Sequence, residues 1–187
     1  MRIIAGSARG RSLVSPNGLS TRPTTDKVRE AIFNVLMSEV SGSRVLDVFA
    51  GTGALALEAL SRGAEEAFLI EKSSRAVKAI VENIKKCGFE NAQFISGDCL
   101  RIIPGLEKSF DIIFLDPPYG SGLLIPVLQL IISNNILAPD GILVIETSAK
   151  EKVALREFGE DFGGLPLTVK KQSRYGNTVI SYCSINT

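Results

Sequence analysis

From Arg44 onward, short apolar runs alternate with stretches of helical periodicity, and this alternation restricts the fold more than any other feature of the chain. It is the sequence form of an α/β domain built on a mostly parallel sheet, because parallel strands need crossover helices to return the chain. The pattern predicts strands at Val45–Phe49, Ala67–Ile70, Ala92–Ile95, Asp111–Leu115 and Ile142–Glu146, with helices near Ala54–Ser61, Ser74–Cys87 and Leu123–Ser133. In the second helix Val77, Ile80, Val81 and Ile84 make an apolar stripe, Lys85 and Lys86 suit the C-terminal dipole, and Gly88 ends the helix. Leu167–Lys171 and Thr178–Ser184 then predict two strands joined through Ser173–Asn177 as an antiparallel hairpin.

The N-terminal region reads differently. Residues 2–14 predict two short strands around Gly6–Gly10, and Ser15–Thr25 is a loop rich in Pro, Ser, Thr and Gly. Thr25 can cap a helix in which Val28, Ala31, Ile32, Val35 and Leu36 share one face, with Lys27 and Arg29 left on the polar side. A chain of 187 residues is expected to form one domain, residues 1–40 being a basic hairpin and helix extension and residues 41–187 the core.

Charge and composition narrow the chemistry. The formal charge is +1, yet Arg2, Arg9, Arg11, Arg22, Lys27 and Arg29 crowd the first stretch against Asp26 alone, which leaves the remainder net acidic. Such polarity marks a candidate binding arm. The chain has no histidine, which removes the commonest general base and metal ligand together with every Ser-His or Cys-His pair. Cys87, Cys99 and Cys183 are scattered without CxxC spacing, so neither disulfides nor a metal site is expected, and a reducing cytoplasm fits best. The apolar stretch Leu123–Ile132 is interrupted by Pro126 and Gln129 and is too short to span a membrane, so no membrane partner is expected.

Val45-Leu46-Asp47-Val48-Phe49-Ala50-Gly51-Thr52-Gly53-Ala54 sets a strand, a glycine turn and a helix start in succession, letting backbone approach a ligand at the strand's C-terminal edge. Gly51, Gly53 and Ala56 fit a dinucleotide-binding spacing, and Glu71 ends the next strand where it can take a ribose hydroxyl pair. A pyrophosphate has no use for a carboxylate at Asp47, whereas a cationic ligand lacking phosphate is favoured by one. S-adenosylmethionine is such a ligand. Asp47 and the segment Phe49, Ala50, Gly51, Thr52, Gly53 would hold its amino-acid moiety and sulfonium, Glu71 its ribose and Asp98 its adenine amino group, with Lys72 and Cys99 as further cofactor-binding candidates. Asp47 as a turn cap and Asp98 as a helix cap are the structural alternatives.

Asp116-Pro117-Pro118-Tyr119 follows the strand Asp111–Leu115 and carries the strongest chemical signal. Two prolines stiffen a loop that cannot donate backbone hydrogen bonds, so it offers carbonyl acceptors, while Asp116 adds a carboxylate and Tyr119 an aromatic face. These groups suit an aromatic amine, whose lone pair is delocalised and weakly nucleophilic. If Asp116 and the Pro117 carbonyl bind the two amino hydrogens, the nitrogen is oriented for direct methyl transfer and Tyr119 can stack on an extruded base.

In order and type, Asp47–Gly53, Glu71, Asp98 and Asp116–Tyr119 resemble the class I methyltransferases that act on amino groups. Met1–Gly10, the segment Arg22-Pro-Thr-Thr-Asp-Lys-Val-Arg-Glu-Ala-Ile-Phe-Asn and Arg174-Tyr175-Gly176-Asn177-Thr178 extend the resemblance to the RsmD family of bacterial 16S ribosomal RNA guanine-N2 methyltransferases. That resemblance implies an α/β Rossmann-like fold, with a seven-stranded, mostly parallel sheet whose last strand is antiparallel. It implies S-adenosyl-L-methionine as cofactor and 16S rRNA as partner, within the small ribosomal subunit or an assembly intermediate. It also gives Arg9, Arg11, Arg22, Lys27 and Arg29 a role in contacting RNA phosphates. Tyr175 is a candidate for shaping the base pocket, and the protein is expected to act as a monomer. Competing readings are an amino methyltransferase acting on DNA adenine or cytosine or on protein glutamine, an NAD-dependent oxidoreductase, and a non-catalytic RNA-binding module.

Overall fold

The computed structural model describes residues 1–15, 25–149 and 165–186. Seven strands form one sheet: β1 Arg44–Asp47, β2 Glu66–Glu71, β3 Ala92–Ser96, β4 Phe110–Leu115, β5 Leu137–Ser148, β6 Leu167–Tyr175 and β7 Thr178–Ile185. Their order is β3-β2-β1-β4-β5-β7-β6. Strands β1 to β5 pair in parallel, and β7, the last in sequence, runs antiparallel between β5 and β6. The expected sheet and hairpin are therefore present. Strand β5 begins earlier than Ile142, because Leu137 pairs with Phe110 before the register shifts to Ile112 opposite Ile142.

The helices are α1 Asp26–Leu36, α2 Ala54–Ser61, α3 Ser74–Cys87, α4 Cys99–Ile102 and α5 Leu124–Ser133. Two apolar cores lie on the two faces of the sheet. One gathers Phe33, Leu57, Ile80 and Phe114, and the other Phe68, Phe110, Leu128 and Ile145. The central strands are buried on both faces, which explains their nearly continuous apolar sequence.

Three expectations need correction. Residues 2–14 form a single antiparallel bridge, Arg2 with Ser12, and not two strands. The turn docks on α2 instead: the Ser7 amide donates to the Ser61 carbonyl, the Arg9 amide turns back to Gly6, and a Cβ at Gly6 would overlap the Ser61 carbonyl. On α3 the buried face is Ala76, Ala79, Ile80, Asn83 and Cys87, while Val81 is exposed. Small residues let that face approach the sheet, and the polar member, Asn83, finds partners there. On α1, capped by Thr25 as expected, Arg29 is fully buried and does not lie on the polar side. Its Nη2 donates to the Arg2 carbonyl and to Asp26, and its Nε lies 3.6 Å from Glu58. Glu58 is buried as well, accepting from the Ile4 and Ala5 amides and from Arg62. This network fastens the N-terminal arm to α2.

Candidate active site

The C-terminal ends of β1, β2, β3 and β4 share one edge of the sheet, and β1 is the strand from which the crossovers depart in opposite directions. In an open α/β sheet that reversal leaves a crevice for ligands. Asp47 ends β1 opposite Leu69 and Phe114, and Glu71 ends β2 opposite Ser96. Asp98 lies two residues beyond β3, and Asp116 is the residue after β4. The topology therefore brings the four predicted acids to one crevice.

The turn after β1 is tight. Gly51 and Gly53 both have positive φ, 55° and 78°, which a Cβ would strain. At Gly53 an added Cβ would also meet Leu69 at 2.9 Å, whereas at Gly51 only the Phe49 carbonyl, at 3.9 Å, lies within reach. Gly53 thus permits close packing, and Gly51 leaves open space above the turn for a ligand. Phe49 is half-buried, Ala50 is buried and Thr52 is nearly so.

Glu71 braces this turn: one carboxylate oxygen accepts from the Gly51 amide at 2.9 Å and the other from the Ser73 amide at 2.6 Å. Asp98 plays two parts. It caps α4 through the Leu100 amide at 3.1 Å and meets Lys72 Nζ at 2.7 Å. The Lys72 hydrogen bond, then the Leu100 amide, hold its pKa below the usual carboxylate value. Cys99 is buried behind it, its thiol pushed up by desolvation.

Asp47 behaves differently. It is 2% exposed, and burial raises its pKa from 3.8 to about 7, helped by the nearby charge of Glu71 and opposed by backbone amides of Ala56 and Phe49. The Ala56 amide belongs to the first turn of α2, whose N-cap, Gly53, has no capping side chain. Asp47 therefore does cap a helix, from across the turn, while burial and Glu71 disfavour its ionised form.

In the loop after β4, Asp116 is half-buried, Pro117 buried, and Pro118 and Tyr119 exposed. The Pro118 carbonyl accepts from the Ser121 amide at 3.1 Å, closing a turn through Gly120. Strand β5 ends at Ser148 opposite Thr178, so the β6–β7 turn with Tyr175 lies at this same edge of the sheet.

The basic residues divide. Arg9 and Lys27 are exposed. Arg11 is exposed too, but its Nη1 donates to the Lys86 carbonyl at 2.6 Å and serves the C-terminus of α3. Arg29 is internal and cannot reach a phosphate, so its expected RNA contact is withdrawn: the acids Glu58 and Asp26 drew it inward. Arg22 lies outside the described residues. Sequence reasoning missed Glu58 and Asn83. The spacing of Ala76, Ile80, Asn83 and Cys87 could have placed Asn83 on the buried face.

A doubly wound seven-stranded sheet with β7 reversed, a glycine turn after β1 and an acid ending β2 defines a class I methyltransferase fold. The family described as Conserved hypothetical protein 95 matches residues 1–183. YlbH of Bacillus subtilis (strain 168) is 40% identical over 185 residues, 97% of each chain. Ribosomal RNA small subunit methyltransferase D of Escherichia coli (strain K12) is 37% identical over 150 residues, 80% of this chain and 76% of its own. The solved structure of Escherichia coli yhhF superposes with a TM-score of 0.83 at 29% identity, covering 99% of this chain and 97% of that one. The chain belongs to this family, the RsmD family of methyltransferases.

Proposed function

We propose that this protein uses S-adenosyl-L-methionine to methylate the exocyclic N2 amino group of a guanine in 16S ribosomal RNA, acting on an extruded base. The observation that carries the reading is the Asp116–Tyr119 loop, set at the end of β4 beside the glycine turn of β1. The Escherichia coli relative named for the small ribosomal subunit supports the choice of substrate.

The crevice fits this cofactor by its chemistry. Asp47 is a buried carboxylate in need of a cation, and Glu71 already occupies the Gly51 amide. A pyrophosphate would require that amide and would face both carboxylates, so NAD fits poorly. Asp47 with the turn Phe49–Gly53 would hold the amino-acid end, Glu71 and Lys72 the ribose, and Asp98 and Cys99 the adenine. When bound, the cofactor supplies an electrophilic methyl group on a sulfonium.

The remaining work falls to the loop after β4. Asp116 and the Pro117 carbonyl accept the two amino hydrogens, which draws the nitrogen lone pair out of conjugation with the base and toward the methyl group and stabilises the positive charge that develops on it. Tyr119, half exposed, stacks on the base. The proton leaves through Asp116 or to water. Exposed Arg9 and Lys27 contact phosphates and position the RNA while the pocket selects the base.

The test is transfer of labelled methyl from S-adenosylmethionine to undermethylated small ribosomal subunits, with naked 16S RNA, DNA and protein in parallel, followed by nucleoside analysis. Label in N2-methylguanosine is expected. Label confined to DNA or protein would keep the methyl transfer and overturn the substrate, and binding of NADH alone would overturn both.

A further inference from the structure

Asn83 lies in the middle of α3, where a buried amide is unfavourable unless its polar groups are paired. It is fully buried and it is paired on both sides. Its Oδ1 accepts from the Val14 amide at 2.7 Å, and its Nδ2 donates to the Val14 carbonyl at 3.0 Å and the Thr52 carbonyl at 2.9 Å. One side chain thus grips the N-terminal arm and the centre of the glycine turn. Thr52 stands between two glycines at positive φ, so the conformation of this permissive turn depends on where its carbonyl is anchored.

The other anchors of the arm lead to the same turn. Ser61 Oγ donates to the Ala5 carbonyl at 2.5 Å and accepts from the Ala8 amide at 2.9 Å. Ser61 ends α2, the helix whose N-cap is Gly53. The arm therefore bridges the far end of α2 and the middle of α3, while Asn83 carries its position directly to the turn.

We propose that Asn83 is a positioning residue that couples the seating of the arm to the shape of the cofactor turn. The inference rests on the reading above, in which the turn holds S-adenosylmethionine and the arm faces RNA. Coupling of this kind is reciprocal: an arm that is seated tightens the turn around its ligand, and a filled turn secures the arm. RNA phosphates that engage the arm thereby strengthen cofactor binding at a turn they do not touch.

Two measurements with S-adenosylhomocysteine decide the matter. In the unmodified protein, hydrogen exchange is followed with and without this ligand at the amides of Ile3, Gly10 and Leu13, which are bonded within the arm and not to the turn. Added protection at these amides is expected, and protection that rises only at the turn overturns the coupling. Calorimetric affinities are then compared for the unmodified protein, Asn83→Asp, Ser61→Ala and the double variant. Asn83→Asp keeps the shape but removes both donors, and about tenfold weaker binding is expected from one net hydrogen bond to the turn. Ser61→Ala, which loosens the arm from α2, is expected to weaken binding only while Asn83 is intact. Equal weakening in both backgrounds, or none in either, overturns the proposal, as a purely structural Asn83 would lower thermal stability without this non-additivity. Failure of the unmodified protein to bind S-adenosylhomocysteine overturns the cofactor reading and the coupling with it. Binding with an indifferent arm overturns the coupling alone.

Discussion

Acidification should loosen cofactor binding while making the free protein more stable, and Asp47 is the source of both effects. Its carboxylate titrates near 3.8 in the unfolded chain and at about 7 in the fold. At about 1.4 kcal/mol per unit, ionising it in the free protein costs about 4 kcal/mol more than in the unfolded chain. The native state holds a proton that the unfolded state has released, so the contribution is fully present below about pH 4, falls as pH rises and is lost above about pH 7. A cationic ligand needs the opposite, ionised form. With an apparent pKa of about 7, the dissociation constant for S-adenosylhomocysteine should rise about 25-fold between about pH 7.5 and about pH 5.5, approaching tenfold per unit. Asp98 does not distort the slope, since Lys72 and the Leu100 amide keep it ionised through this range. Isothermal calorimetry in buffers of differing ionisation enthalpy should register release of nearly one proton on binding at about pH 6. Asp47→Asn should bind weakly at every pH and release none. A dissociation constant that stays flat across this interval, with no proton released, would show that the carboxylate does not meet the ligand's ammonium.

Asp116→Ala is expected to slow methyl transfer by about two to three orders of magnitude, as for loss of a transition-state hydrogen bond, with S-adenosylhomocysteine affinity preserved. Single-turnover kinetics and calorimetry separate the two, and equal losses in both would refute the assignment. Glu71→Ala should reverse that pattern, weakening cofactor affinity by about tenfold or more through lost ribose contacts and an unbraced Gly51 amide. Glu58→Ala leaves the Ile4 and Ala5 amides without their acceptor and removes the buried carboxylate paired with buried Arg29, so about 3–5 kcal/mol of stability should go. In a chain of this size that is a fall of about 6–20 °C in Tm by calorimetry, and a change below about 2 °C would mean that the arm is not fastened there.

The sheet was readable because its signal is redundant: β1, β2 and β4 are buried on both faces, so runs such as Ile112–Leu115 and Phe68–Ile70 hardly admit another reading. The glycine turn and the Asp116–Tyr119 loop were readable because each needs particular residue types at fixed spacing. What escaped were polar residues facing inward. Arg29 and Glu58 look like surface charges in sequence, and only the meeting of α1 with α2 reveals them as each other's partners. Asn83 was overlooked because Val77 and Val81 turned the predicted stripe away from the buried face, in which Ile80 alone of its members is fully buried, and because the turn it serves lies 31 residues earlier. Pairings at such separation have no local signature, because the partner that repays desolvation is supplied by tertiary structure.

The same point explains how one sheet edge can hold carboxylates with different tasks. Glu71 is held by two backbone amides, and Asp98 by a lysine and a helix start that keep its pKa below the usual carboxylate value. Asp47 receives amide support as well, but burial outweighs it and Glu71 adds to the strain. On the proposed reading, a cationic ligand favours the ionised form of Asp47 and an anionic one opposes it. Histidine, the usual group for a charge change near neutrality, is absent from the chain. Burial has given that property to an aspartate at the end of β1, so a charge change near neutrality is available in this crevice without a histidine.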